Sequence, residues 1–238
     1  MTTLFDLQKV SVRYGQVDAL KTLDLQISQG QRLALIGANG SGKSSLLRVL
    51  NGLVSKELAG LITVQKGVRQ AMLFQRPHML RMTVQSNVAL GLWLKGTPWT
   101  LAKKRALEAL DRVGLLAEAA RPAKALSMGQ QQRVAFARAL AQQPNVLLLD
   151  EPTASMDPHA KREVESLMQA FAISQNEETM TLIFASHNLG QVKRLATHVA
   201  YLEHGKLLAY LPVEDFFDAE KLRSISPAAD AFLKGETT

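Results

Sequence analysis

The sequence predicts an α/β fold, with a mixed sheet whose N-terminal part is antiparallel and an inserted α-helical subdomain. Residues 32–36 and 146–149 are apolar almost throughout, which is typical of central parallel strands covered on both faces. Residues 158–173 carry apolar side chains at helical spacing. Between residues 76 and 141, helical patterns follow one another without a strong strand pattern. These observations predict helices around a central sheet and a helical insertion between two of its strands.

The strands and helices can be predicted one by one from the spacing of the apolar residues. The predicted strands are residues 3–12, 23–27, 31–36, 61–65, 70–74, 146–150, 180–185, 198–203 and 206–211. The predicted helices are residues 43–52, 83–94, 100–113, 130–141, 158–173 and 189–196. The helix at 158–173 has the clearest apolar stripe, formed by Val164, Leu167, Met168, Phe171 and Ala172. Pro158 suits the first turn of that helix.

These elements predict a single domain over residues 1–238. Residues 1–75 and 142–211 are expected to form a catalytic α/β core, and residues 76–141 the helical subdomain. Residues 212–238 read as a short amphipathic tail.

The composition is that of a folded, mildly basic protein. The chain has 238 residues, of which 47% are hydrophobic and 21% charged, which argues against bulk disorder. The net charge of +7 suits anionic small molecules, nucleic acid or an anionic membrane surface without selecting among them. Cysteine is absent, which excludes disulfide scaffolds, cysteine nucleophiles and thiolate metal sites.

The sequence contains no stretch that we expect to span a bilayer. The longest run without Asp, Glu, Lys or Arg is residues 179–192, whereas a spanning helix needs about 20 apolar residues. The first ten residues lack the basic start and apolar middle of a signal peptide. We therefore expect a soluble chain that could still lie against a membrane protein.

Residues 37–45 read GANGSGKSS and match the phosphate-binding pattern G-x-x-x-x-G-K-[ST]. The segment lies between a predicted strand and a predicted helix, so its backbone N–H groups and the helix N-terminus can face an anion. Lys43 is predicted to contact the β- and γ-phosphates, and Ser44 to hold Mg²⁺. The predicted phosphate cradle comprises Gly37, Ala38, Asn39, Gly40, Ser41, Gly42, Lys43, Ser44 and Ser45. The alternative, a glycine-rich turn without a ligand, is less favoured because both flanking elements are present.

Residues 145–152 read NVLLLDEP and place two carboxylates at the end of a buried strand. Open α/β sheets bind ligands at that end of the strands. Asp150 is predicted to hold Mg²⁺ through water, and Glu151 to act as general base on an attacking water. An acidic pair without a function is the alternative, which the nearby phosphate-binding pattern disfavours.

Residues 126–133 read LSMGQQQR, and with the two motifs above they resemble the ATP-binding cassette (ABC) family. The resemblance covers residues 3–211 and predicts a P-loop NTPase core. It implies that Ser127, Gly129 and Gln130 contact ATP held by a second copy of the chain. It further implies that Gln75 is a Mg²⁺ ligand and a catalytic residue, and that His187 contacts the γ-phosphate. Asp157 would belong to the dimer site, and the ring of Tyr14 would stack on adenine.

Some of these residues would have other readings if they stood alone. Gln75 could be a polar strand cap, His187 a turn histidine and Tyr14 a core or edge aromatic. The family usually has Leu-Ser-Gly-Gly-Gln, and Met128 replaces the first of the two glycines. Met128 restricts φ at a turn where glycine is permissive, and we expect the replacement to be tolerated.

The resemblance implies an ATPase that binds ATP and Mg²⁺ and forms an ATP-dependent homodimer. It would be the peripheral subunit of an importer at the cytoplasmic face of the inner membrane, coupled to a permease and indirectly to a solute-binding protein. Residues 187–207 look most like the tungstate-type oxyanion importers, with polar amino-acid importers as the close alternative. A cassette ATPase acting on nucleic acid and a P-loop kinase are the other classes, and no nucleic acid is expected as a partner.

Two segments of the predicted helical subdomain are expected to lie at its surface. Residues 76–80 are expected to help form the groove for the permease, with Met79, Leu80 and Met82 as adaptable apolar contacts. The basic run at residues 103–105 is expected to be a solvated helix face.

Overall fold

The computed structural model describes residues 2–154, 156–172 and 180–235. The strands are β1 (Thr3–Tyr14), β2 (Val17–Ser28), β3 (Arg32–Ile36), β4 (Leu58–Val64), β5 (Gln70–Leu73), β6 (Val146–Asp150), β7 (Thr181–Ala185), β8 (His198–Glu203) and β9 (Lys206–Pro212). The helices are α1 (Lys43–Leu50), α2 (Val84–Leu94), α3 (Trp99–Arg112), α4 (Met128–Leu140), α5 (Pro158–Ala172), α6 (Leu189–Leu195), α7 (Val213–Phe216), α8 (Ala219–Ile225) and α9 (Pro227–Lys234). Short 3₁₀ turns occur at Leu116–Glu118 and Ala123–Ala125.

The strands form two sheets, and the predicted α/β class with an antiparallel N-terminal part is confirmed. The smaller sheet is antiparallel, in the order β2-β1-β4. The larger sheet has the order β5-β6-β7-β3-β8-β9, in which only the edge strand β9 runs antiparallel to its neighbour. Every residue of β6 and β7 is buried, as the continuous apolar runs predicted.

The two faces of the larger sheet are covered by different elements because side chains alternate along each strand. Leu147, Leu149 and Phe184 pack into a core with residues of α2 to α6 and the C-terminal helices. Leu148 and Ile183 face the opposite core, which contains α1 and the inner side chains of β1 and β2. The helix α1, which follows the phosphate-binding segment, therefore packs between the two sheets.

The register of the parallel strands brings their C-terminal ends to one edge of the larger sheet. Asp150 at the end of β6 pairs with Ala185 at the end of β7, and Leu35 near the end of β3 pairs with the same alanine. The loops that follow β3, β6 and β7 consequently meet at this edge, where an open α/β sheet binds its ligands.

Some predicted features differ from the structure. β2 begins at Val17 because residues 15 and 16 form a tight turn that pairs Val17 with Tyr14. β4 begins at Leu58, where it pairs with β1. The predicted amphipathic tail forms α7 to α9, which bury Phe216, Leu222 and other apolar side chains in the core. The last residue of the predicted helix at 158–173 lies outside the described residues.

The predicted permease contact at Met79 is wrong, because this side chain is buried in the core among residues of the helical region. Leu80 is exposed and Met82 is half-buried, so these two predictions remain open. In the described part of the chain, no helix has the length and apolar character needed to cross a membrane.

Candidate functional site

The segment after β3 wraps tightly because two glycines allow conformations that other residues could not adopt. Gly37 has a φ of +140°, and a Cβ there would lie 2.1 Å from the Leu202 carbonyl oxygen. Gly42 has a φ of +110°, and a Cβ there would lie 2.7 Å from the Ala19 carbonyl oxygen. No side chain caps the start of α1, so its first N–H groups are open toward a ligand.

Lys43 is buried at the start of α1 and folds back over the loop. Its Nζ donates to the carbonyl oxygens of Gly37 at 2.8 Å and Ala38 at 3.0 Å. Burial lowers the pKa of Lys43, while the nearby carboxylates of Glu151 and Asp150 act in the opposite direction. An anionic group bound at this loop would stabilise the charged form of the lysine.

Ser44 and Asp150 lie side by side below the loop. Ser44 Oγ donates to Asp150 Oδ1 at 2.9 Å. Burial raises the pKa of Asp150, and the hydrogen bond from Ser44 works against that rise. A hydroxyl and a buried carboxylate are hard oxygen ligands, so the chemistry of this pair fits Mg²⁺.

Three predicted catalytic residues converge from the ends of adjacent strands. Glu151 Oε2 lies 3.4 Å from His187 Nδ1 and 3.4 Å from Gln75 Nε2. Glu151 adopts a φ of +45°, which is uncommon for a non-glycine residue and is often found at functional sites. The carboxylate is therefore held in one place between a ring nitrogen and an amide.

These groups open into a cleft of about 510 Å³. It is lined by Tyr14, Val17, Asp18, Ala19, Asn39, Gly40, Ser41, Gly42, Lys43, Ser44, Ser45, Arg48, Gln75 and Glu151. Sequence reasoning missed Arg48 and the residues at 17–19. The hairpin turn after Tyr14 could have identified Val17, and the helical spacing from Ser44 could have identified Arg48.

The remaining predicted site residues lie elsewhere, at the starts of α4 and α5. Ser127 and Gln130 form a capping box: Ser127 Oγ accepts from the Gln130 N–H at 3.3 Å, and Gln130 Oε1 accepts from the Ser127 N–H at 3.0 Å. Asp157 accepts from the N–H groups of His159 and Ala160, which lowers its pKa. None of Ser127, Gln130 and Asp157 lines the cleft of its own chain.

Gly129 and Met128 show how α4 begins. A Cβ on Gly129 would lie 2.8 Å from the Cβ of Ala160, so glycine allows α4 and α5 to approach closely. Met128 is the first residue of α4 and is not among the residues with positive φ, which agrees with the expectation that the fold tolerates a methionine here. Its side chain is 52% exposed.

Comparison with known proteins gives a consistent result. Residues 20–154, more than half of the chain, match the profile of the family described as ABC transporter. The nickel import ATP-binding protein NikO of Rhodobacter capsulatus is 38% identical, covering 90% of this chain and 91% of NikO. The glutamine transport ATP-binding protein GlnQ of Escherichia coli is 36% identical, covering 86% of this chain and 89% of GlnQ.

A solved structure with the same fold was determined as a dimer. It is the post-hydrolysis state of the ATP-binding cassette MJ0796, bound to ADP and phosphate. Its TM-score is 0.77 at 26% identity, and the match covers 88% of this chain and 99% of that one.

Proposed function

Because this chain belongs to the ABC transporter family and is an ATPase, we propose that it powers a membrane importer through a separate permease. The observation that carries the proposal is the convergence of Gln75, Glu151 and His187 beside the glycine-rich loop. Such a site can hold a nucleoside triphosphate and direct a water molecule to attack its terminal phosphate.

The glycine-rich loop would hold the phosphates of ATP, and the aromatic side of the cleft would hold the base. The N–H groups of residues 37–45 and the charge of Lys43 neutralise the phosphates. Tyr14 and Val17 are paired neighbours that both line the cleft, where the tyrosine ring can stack on adenine.

Glu151 is the general base in this proposal. Its carboxylate takes a proton from the water that attacks the γ-phosphate. His187, 3.4 Å from Glu151 Oε2, orients that carboxylate and contacts the γ-phosphate, while the Gln75 amide lies beside the same oxygen. Mg²⁺ held by Ser44 and Asp150, with Gln75 as a further ligand, would neutralise charge on the phosphate oxygens.

Two copies would complete each other's sites in a head-to-tail dimer. Ser127, Gly129, Gln130 and Asp157 lie outside their own cleft, and the exposed N-terminus of α4 can face a phosphate of the partner copy. The dimeric state of MJ0796 with ADP and phosphate supports this arrangement.

The name of NikO, a nickel import ATP-binding protein, supports the direction of transport. In this proposal the chain lies at the cytoplasmic face of the inner membrane, and a solute-binding protein delivers the cargo to the permease. The cargo is recognised outside this chain. Residues 187–207 suggest a tungstate-type oxyanion, whereas the relatives are named for nickel at 38% identity and for glutamine, a polar amino acid, at 36%. Uptake of labelled molybdate, nickel and glutamine by cells with and without the gene distinguishes these cargoes.

Replacement of the proposed base tests the reaction. Glu151→Gln keeps the shape of the side chain but cannot take a proton, so hydrolysis should fall by about 10²- to 10⁴-fold while ATP binding is retained. With ATP and Mg²⁺, this variant should elute as a dimer in size-exclusion chromatography. Turnover close to that of the unaltered protein would remove Glu151 from the role of base.

A second substitution tests the proposed dimer. Adding Ser127→Arg to Glu151→Gln should abolish the dimer and leave ATP binding to the single copy intact. The reason is that a bulky cation at the start of α4 cannot fit against the partner's nucleotide. A dimer that persists in the double variant would contradict the head-to-tail arrangement.

A further inference from the structure

A buried hydrogen-bond network connects the segment that follows Glu151 to the residue that precedes His187. At its centre is Gln191 of α6, whose side chain is fully buried. Its Oε1 accepts from Ser186 Oγ at 2.7 Å, and its Nε2 donates to Thr153 Oγ1 at 3.1 Å and to Glu165 Oε1 at 3.2 Å. The carbonyl and both N–H groups of one amide are therefore engaged.

The neighbouring groups determine the orientation of this amide. Glu165 forms an ion pair with Arg194 at 2.6 Å, so its carboxylate can only accept hydrogen bonds. The amide nitrogen of Gln191 must therefore face Glu165, and the oxygen must face the hydroxyl of Ser186. Ser186 Oγ also accepts from the Asn188 N–H at 3.0 Å, which leaves its proton for Gln191.

The network joins the two loops that carry the proposed base and its histidine. Thr153 follows Glu151 after a single proline, Pro152, and Ser186 directly precedes His187. The loops leave β6 and β7, whose last residues, Asp150 and Ala185, are paired. A buried amide bonded to both loops limits how far they can move apart, because a lost bond would leave polar groups unpaired in the core.

We propose that Gln191 is a positioning residue that sets the separation between Glu151 and His187. This inference rests on the roles proposed above for those two residues. Glu151 adopts a strained backbone conformation, and such a conformation persists only where its surroundings hold it. The hydrogen bond from Gln191 to Thr153 supports the segment after Glu151 from outside the nucleotide cleft.

The test separates positioning from ATP binding. Gln191→Leu removes the amide without touching the cleft, so the Kd for ATP and the number of ATP molecules bound per chain should stay within about threefold. The kcat should fall by about 10- to 100-fold, the scale expected when a reacting group is displaced by about an ångström.

The matched control is Gln132→Leu, since Gln132 is equally buried and its amide has no partner among the described residues. Its kcat should stay close to that of the unaltered protein.

Two milder variants keep the test valid if Gln191→Leu does not fold. Thr153→Val and Ser186→Ala each remove one bond to Gln191 at little change in volume. Each should lower kcat with ATP binding retained. Combined with Gln191→Leu, where that variant folds, Thr153→Val should add no further loss, because both substitutions break the same link.

Three results would overturn the proposal: an unchanged kcat in all these variants, losses of kcat that only parallel losses of bound ATP, or fully additive effects. Glu151→Gln, measured alongside, distinguishes the proposals. If Glu151→Gln is inactive and Gln191→Leu is fully active, only the positioning role is wrong. If Glu151→Gln is fully active, the proposed base itself is wrong.

Discussion

Two ionisable residues at the site, Lys43 and Asp150, have pKa values that a bound ligand would shift back toward their usual range. Burial lowers the pKa of Lys43 and raises that of Asp150, so each is displaced toward its neutral form in the protein alone. A bound phosphate favours the charged lysine, and a bound cation favours the charged carboxylate. Glu151 adds a left-handed backbone conformation that costs a non-glycine residue about 1–3 kcal/mol.

Met128 provides a prediction at this scale, because its family counterpart is glycine. The residue lies in the first turn of α4 without positive φ, so no strain is present for a glycine to relieve. Met128→Gly should lower the free energy of unfolding by about 0.5–1 kcal/mol through lost helix propensity. Urea unfolding measures this change. A gain in stability would indicate that Met128 is strained after all.

At the scale of elements, two side chains tie the loop after β5 to the helices α2 and α4. Asn87 of α2 donates to the carbonyl oxygens of Leu80 at 3.3 Å, Met82 at 3.1 Å and Thr83 at 2.9 Å, and it accepts from the Leu80 N–H at 3.0 Å. Arg138 of α4 donates to the His78 carbonyl oxygen and to Asn87. The loop that follows Gln75 is thus attached to the helix that begins at the proposed dimer contact.

Loss of this attachment should be measurable as stability. Asn87→Ala leaves the Leu80 N–H without its acceptor and removes the bond from Arg138 and those to three part-buried carbonyl oxygens, so the free energy of unfolding should fall by about 1–3 kcal/mol. Gln85→Ala is the control on the same helix, since Gln85 makes one bond, to the Lys103 carbonyl oxygen at 3.2 Å. Equal losses in the two variants would show that Asn87 does not anchor the loop.

At the scale of the whole molecule, an ATPase that drives transport must pass its conformational change to another protein. The predicted helical subdomain, residues 76–141, connects Gln75 to the proposed partner contact at Ser127. Its surface includes exposed apolar side chains, among them Leu80, Trp93 and Leu94. We propose that the permease docks at Leu80 and its neighbours, since a protein attached there would move when the nucleotide site changes.

Charge placed at this surface tests the docking. Leu80 is 38% exposed and is not among the residues that line the cleft, so Leu80→Asp should leave basal ATPase activity nearly unchanged. It should abolish capture of the proposed permease, because an unpaired charge at an interface costs several kcal/mol. Leu61→Asp is the control, as Leu61 is 55% exposed on β4 of the antiparallel sheet. Permease capture and solute uptake by Leu80→Asp would place the docking surface elsewhere.

The sequence alone determined the features that depend on short stretches of chain. A glycine-rich segment between an apolar run and a helix specifies a phosphate-binding loop, because only glycines permit its backbone conformation. Continuous apolar runs ending in Asp150 and Ala185 specified buried parallel strands, and the family pattern selected Gln75, Glu151 and His187. These residues can be recognised without knowing which other residues lie near them in the folded chain.

Only the tertiary structure decided which of these residues meet and what supports them. The burial of Met79, the helical position of Met128 and the placing of Ser127 and Asp157 outside their own cleft all depend on how α4 and α5 pack. The network of Gln191 joins Thr153, Glu165 and Ser186 from three separate parts of the chain. Contacts of this kind arise from the pairing of distant strands and the packing of helices on the sheet, and no local pattern of side chains encodes them.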